Sequence, residues 1–231
     1  MRDSERNSEL GNAFLYILIA VAMFAALMFA IRRSVENDSP QSQMDDSKAK
    51  IAANDILSYA AIATNAVTLM DQAGTEAAQI NFMYPSDVNF NVAPTIDKIF
   101  HPDGGGLNYK TLPQFGSDNS TVGLTSGYYI GRFNNVVWTP TTGLDVIFTA
   151  FGLSQSVCAA INKKIVGSET IPATVGGDFK RYLIEGSVFS GVNVDLDNGV
   201  CPACEDIAAL CVSNTSLGVT KYAFYNILVA E

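Results

Sequence analysis

Histidine, basic residues and charge in general are scarce in this chain. Histidine occurs once, as His101, with no other His and no Cys near it in sequence. That excludes a histidine-rich metal cluster and leaves Ser154, Ser156 and Ser168 without a recognisable imidazole base, so no enzymatic activity is expected. Lys and Arg number 14 against 23 Asp and Glu, and charged residues make up only 16% of the chain. The resulting net charge of −9 repels phosphates, which disfavours nucleic acid as a partner. Internal repeats and low-complexity tracts are also lacking. The glycine run 104–106 has no Lys-Ser/Thr pair after it and opens no helix, so it is not a phosphate-binding loop. Within the tract HPDGGG, His101 reads as a turn residue.

What the chain does contain is one long uncharged apolar run, residues 13–31, AFLYILIAVAMFAALMFAI. As a helix its length is about 28 Å, the hydrocarbon thickness of a bilayer, so membrane lipid is its expected surroundings. The flanking charges orient it poorly, because Arg2 and Arg6 before it oppose Arg32 and Arg33 after it. Cysteine resolves the orientation. Cys158, Cys201, Cys204 and Cys211 all lie beyond the run, and an even count there points to disulfides in an oxidising compartment. The C-terminal part is then periplasmic or extracellular, and the short N-terminus cytoplasmic.

Four segments follow from the pattern: a leader or stub over 1–11, a transmembrane helix over 12–33, a polar linker or helix break over 34–47 containing Pro40, and a globular domain over 48–231. The apolar content of 48% is ample for a core in that domain. Ile51, Ile56, Tyr59, Ala63, Val67 and Met70 recur at helical spacing and end at Gly74, which predicts an amphipathic helix. Residues 80–118 are rich in Gly and Pro and read as a long connection. Strands are expected over 127–138, 145–150, 181–189 and 222–229, with short connections that favour antiparallel pairing. Between the second and third, residues 153–165 read as a short helix with Ser154 as N-cap, Val157, Ile161 and Ile165 on one face, and Lys163 and Lys164 in the last turn. The spacing Cys201-Pro-Ala-Cys204 suits a structural disulfide, a redox dithiol or half of a zinc knuckle, and EDIAALC after it could form a helical turn.

Gly11 followed at once by Asn12, Ala13, Phe14 and the apolar run resembles the type III signal of type IV pilins and type II secretion pseudopilins. The resemblance implies cleavage between Gly11 and Asn12 by a prepilin peptidase, with the anchor retained. Tyr16 stands at the fifth mature position, where the family carries Glu, an arrangement compatible with a minor or atypical subunit. The implied fold is α+β, a long N-terminal helix, part transmembrane and part amphipathic, packed on an antiparallel sheet with a disulfide-closed C-terminal region. In that setting Cys158 is expected to join Cys211 or Cys201. The implied function is a structural subunit of a pilus or pseudopilus-like filament. Its partners would be other pilin-like subunits or copies of itself, together with the assembly machinery. No cofactor is expected. Because pseudopilins use a C-terminal calcium loop, Asp195 and Asp197 are weak calcium candidates, although the loop's glycine is misplaced for an EF-hand and Cys204 occupies the twelfth position. A non-polymerising anchored binding domain and a tethered thiol oxidoreductase are the alternatives.

Overall fold

A computed structural model of the chain describes residues 19–26, 28, 40–114, 116, 125–176, 179–184, 195–216 and 218–230. Contacts divide the chain into two units, 1–47 and 48–231. In the first unit, residues 19–26 and 28 are helical, and their side chains are exposed.

Helix α1 (Pro40–Gln72) starts inside the stretch expected to be a linker. Pro40 is the first described residue of this helix, which continues through the rest of that stretch. The far end closes as expected: Gly74 takes a positive φ of 93°, its N–H donates to the Asp71 carbonyl, and Thr75 N–H donates to the Met70 carbonyl. Within the second unit, α1 buries Ala49, Ala52, Ala53, Ile56, Tyr59, Ala60, Ala63, Ala66, Val67 and Met70. So many alanines on one face let the helix lie close to its support, with Tyr59 as the large side chain at the centre. Ile51, expected in this stripe, faces outward instead.

The support is a fully antiparallel sheet of four strands, β1 (Gly127–Asn134), β2 (Asp145–Phe151), β3 (Ala209–Ser216) and β4 (Val219–Val229), in the order β1-β2-β4-β3. Every residue of β2 is buried, because the sheet is covered on both faces. Val146, Phe148 and Ala150 join the α1 side, where Tyr59 meets Tyr128 at 4.6 Å and Phe148 at 5.7 Å between ring centroids. Ile147 and Phe151 point the other way, into a second apolar layer with Phe179, Tyr182, Leu183, Ile184, Leu196 and Tyr225. Thr149 fastens that layer by donating to the Leu183 carbonyl at 2.6 Å.

Two sequence expectations need correction here. Residues 181–184 belong to a π-helical turn, Lys180–Ile184, and not to a strand. Tyr182, Leu183 and Ile184 are all buried, in the second apolar layer. The remainder of that expected strand, 185–189, lies outside the described residues. The second correction concerns EDIAALC, which forms no helix: a single 3-10 turn, Pro202–Cys204, leads into β3. Helix α2 (Gln155–Ile165) matches the expectation, with the Ser154 hydroxyl accepting from Val157 N–H and Val157 and Ile161 buried, whereas Ile165 is exposed.

Candidate functional site

Two disulfides form, Cys158–Cys211 and Cys201–Cys204, and all four residues are buried. The first ties α2 to β3. One helical turn after Cys158, Asn162 pairs its side chain with the same strand position: its Nδ2 donates to the Cys211 carbonyl at 2.8 Å, and its Oδ1 accepts from Cys211 N–H at 2.8 Å. The amide thus stands in for a neighbouring strand. Further along the same edge, Ser213 N–H donates to the Pro172 carbonyl at 2.8 Å and Thr174 N–H donates to the Ser213 carbonyl at 2.7 Å.

The second disulfide closes the turn between Leu196 and β3. A thioredoxin-like dithiol needs its pair at the start of a true helix that stabilises a thiolate. Here a three-residue 3-10 turn follows Cys201, and both cysteines are buried. The acidic residues nearby are engaged locally: Asp197 Oδ1 accepts from Val200 N–H at 2.8 Å, Asn198 Nδ2 donates to Glu205 at 2.6 Å, and Asn135 Nδ2 donates to Asp195 at 3.3 Å. Among the described residues, no group of three or more His, Cys, Asp or Glu is placed to hold a metal ion.

His101 lies in a turn, where its Nδ1 accepts from Asp103 N–H at 3.2 Å. The glycines that follow are dictated by close approach. A Cβ at Gly104 would stand 2.3 Å from the Lys98 carbonyl oxygen, and one at Gly105 would stand 2.6 Å from that of Ile99. This turn seats the loop 87–98, whose centre is the buried ammonium of Lys98. Its Nζ donates to the carbonyls of Asn89 and Phe90 at 2.9 Å each, and also to that of Val92. Sequence reading missed this lysine, and nothing in the spacing of the loop signals that its carbonyls converge.

Two surfaces carry exposed apolar groups at helical spacing. In the first unit these are Ile19, Val21, Met23, Phe24 and Met28. In the second, Ile51, Ile62 and Leu69 on α1 are exposed by 67%, 48% and 61%, and their separations of 11 and 7 residues place them on one line along the outer face. Among the described residues, no helix is long and apolar enough to cross a membrane. Gly11 and Asn12, the expected processing residues, lie outside the described residues, as does much of the apolar run.

One hollow of about 480 Å³ lies along β1 between Phe82, Tyr84, Arg132, Phe133 and Ile184. Burial pushes the Tyr84 phenol up to about 12, so it remains neutral there at physiological pH. Arg132 is committed to structure, donating to the carbonyls of Ala77 at 2.6 Å and Ile80 at 3.3 Å. A smaller hollow of about 270 Å³ contains Trp138 and Asp206. Comparison with known proteins finds no matching family model, no matching curated protein and no matching solved structure.

Proposed function

We propose that this chain is a structural subunit of a pilus or pseudopilus-like filament, held in a bacterial inner membrane by its N-terminal helix before assembly, with its disulfide-bonded domain in the periplasm. The observation that carries the reading is the distribution of apolar side chains on helical segments. Helical residues 19–26 and 28 expose Ile19, Val21, Met23, Phe24 and Met28. Such a surface is costly in water, so lipid is its natural cover before assembly and neighbouring helices after it. On α1 the inward face is used up by the domain's own sheet, while Ile51, Ile62 and Leu69 are left on the outer face. The order of elements, a long helix followed by an antiparallel sheet with a disulfide near its C-terminal strands, supports the same reading.

N-terminal sequencing and intact mass of protein recovered from bacterial cells test the processing. A start at Asn12 is the expected result; an uncut Met1, or any other start, removes the main support. Purified surface filaments should contain the chain if it assembles. The competing reading, a non-polymerising anchored binding domain, is favoured by the pocket beside Trp138. It requires an uncut monomer.

A further inference from the structure

The turn ahead of the Cys201–Cys204 disulfide holds the one Asn-Gly pair of the chain, Asn198-Gly199. Glycine after asparagine is chemically distinctive, because without a Cβ its backbone nitrogen can swing within reach of the preceding side-chain amide carbon. In a folded chain the outcome depends on what holds the two residues.

Here the flanks of the turn are fixed and its middle is not. The Asp197 carbonyl accepts from Val200 N–H at 3.1 Å and from Cys201 N–H at 3.0 Å, and Asp197 Oδ1 accepts from Val200 N–H at 2.8 Å. Between those anchors, Asn198 and Gly199 are both exposed. Among the described residues, Gly199 N–H donates to no acceptor, and neither the Asn198 carbonyl nor the Gly199 carbonyl accepts a backbone bond. The Asn198 side chain has one tie, from Nδ2 to the Glu205 carboxylate at 2.6 Å. Glu205 is itself exposed, and a single bond open to water restrains the amide weakly.

Asp103-Gly104, the one Asp-Gly pair, has the same ring-closing chemistry and the opposite setting. Gly104 N–H donates to the His101 carbonyl at 3.0 Å, and the Asp103 carboxylate accepts from the Thr95 hydroxyl at 3.1 Å. That peptide is also wedged against backbone, with the Lys98 carbonyl oxygen 2.3 Å from a Cβ built at Gly104. A Cβ built at Gly199 would meet only the Asp197 carboxylate, at 3.2 Å or more.

We infer that Asn198 is a site of self-modification, at which the Gly199 nitrogen displaces the side-chain amide. Hydroxide takes the Gly199 N–H proton, and the nitrogen bonds to Asn198 Cγ. The Cγ–Nδ2 bond then breaks, and Nδ2 leaves with a proton from water as ammonia. The product is a five-membered succinimide. Water opens it at either carbonyl: attack at Cγ leaves aspartate at 198, and attack at the backbone carbonyl leaves isoaspartate, with the main chain rerouted through the former side chain. One water is consumed, one ammonia is released, and nothing is oxidised or reduced. A carboxylate then stands where Glu205 had a donor, so a hydrogen bond becomes a like-charge contact and the turn parts from Glu205. The change is irreversible and accumulates with the age of each molecule.

To test this, the full chain in detergent is incubated at mildly alkaline pH beside a urea-unfolded control, digested under acidic conditions and mapped by mass spectrometry, with isoaspartate located by electron-transfer fragmentation. The expected result is conversion of Asn198 in the folded chain to a mixture of isoaspartate and aspartate, faster in proportion to hydroxide, with Asp103 unchanged. Gly199→Ala hinders the approach of the nitrogen, and Asn198→Gln must close a larger ring. Each should lose the conversion over the time in which the parent is half converted. The assignment is overturned if Asn198 stays an amide in the folded chain while the unfolded control converts, or if aspartate forms without isoaspartate, which is direct hydrolysis. A G199A variant that converts as fast as the parent, or isomerisation at Asp103 that outpaces Asn198, overturns it as well.

Discussion

Removing the two disulfides separately should have very unequal effects, because they close loops of very different length. Cys158 and Cys211 are 53 residues apart, Cys201 and Cys204 only 3. The chain-entropy relation gives about 4 kcal/mol for the long loop and about 1.6 kcal/mol for the short one. For a domain of this size each kcal/mol shifts Tm by about 2–4 °C. Cys158→Ala with Cys211→Ala should therefore lower Tm by about 8–16 °C, and Cys201→Ala with Cys204→Ala by about 3–6 °C. All four residues are buried, so the small packing loss on truncation is common to both pairs and does not reorder them. Thermal unfolding of the full chain in detergent, followed by near-ultraviolet circular dichroism under non-reducing conditions, measures both shifts. An equal loss from the two double variants, or a larger one from the short loop, would refute the reasoning and mean that strain or local packing, not loop closure, sets the contribution.

Other perturbations have definite outcomes. Asn162→Ala strips a partner from both backbone groups of Cys211 and should cost about 2–4 kcal/mol in urea unfolding. Tyr59→Phe gives up the bond from its hydroxyl to the Asn108 carbonyl at 2.8 Å and should cost about 1 kcal/mol. Tyr128→Phe should be neutral or mildly stabilising, since the Tyr128 hydroxyl is buried with no partner. Lys98→Met leaves the carbonyls of Asn89, Phe90 and Val92 without their shared donor, and limited proteolysis should then cut within 87–98 much faster than in the parent. Burial raises Tyr59 and Tyr84 from 10.0 to about 12, so between those values the unfolded chain loses protons that the folded one keeps. Stability should accordingly fall as pH rises from about 10 towards 12, and alkaline titration of Tm should locate the fall there.

Much of the sheet was legible because three of its strands are rich in β-branched and aromatic residues. GYYIGRF and DVIFTA announce β1 and β2 directly, and YAFYNILV announces most of β4. Helix α2 was legible through its N-cap and its final lysines. β3 was not. Its outer half, Ser213 to Ser216, is polar, and its apolar start follows acids and alanines that favour a helical turn. Only the tertiary setting makes it a strand: β4 on one side, Asn162 and residues 172–174 on the other. The outward placement of Ile51 was illegible for a related reason. An alanine-rich helix offers two apolar lines, and spacing alone does not say which one the sheet takes. Of the candidate site, the even cysteine count pointed to disulfides and narrowed the partner of Cys158 to Cys211 or Cys201, and the choice of Cys211 required the fold. The Trp138 pocket had no signal at all, since Trp138 and Asp206 are 68 positions apart in sequence and are brought together by the end of β4.

The sealed margin of β3 bears on what crowding does to this molecule. An open strand edge is a template onto which another copy can zip its backbone, the first step towards insoluble fibre. Here a carboxamide, a disulfide and a short parallel bridge occupy that margin. Copies confined to a membrane plane or stacked at high density therefore find no free backbone groups to pair with at Cys211 and Ser213. Contacts on that stretch of the edge run through side chains, and associations of that kind come apart again without unfolding either molecule.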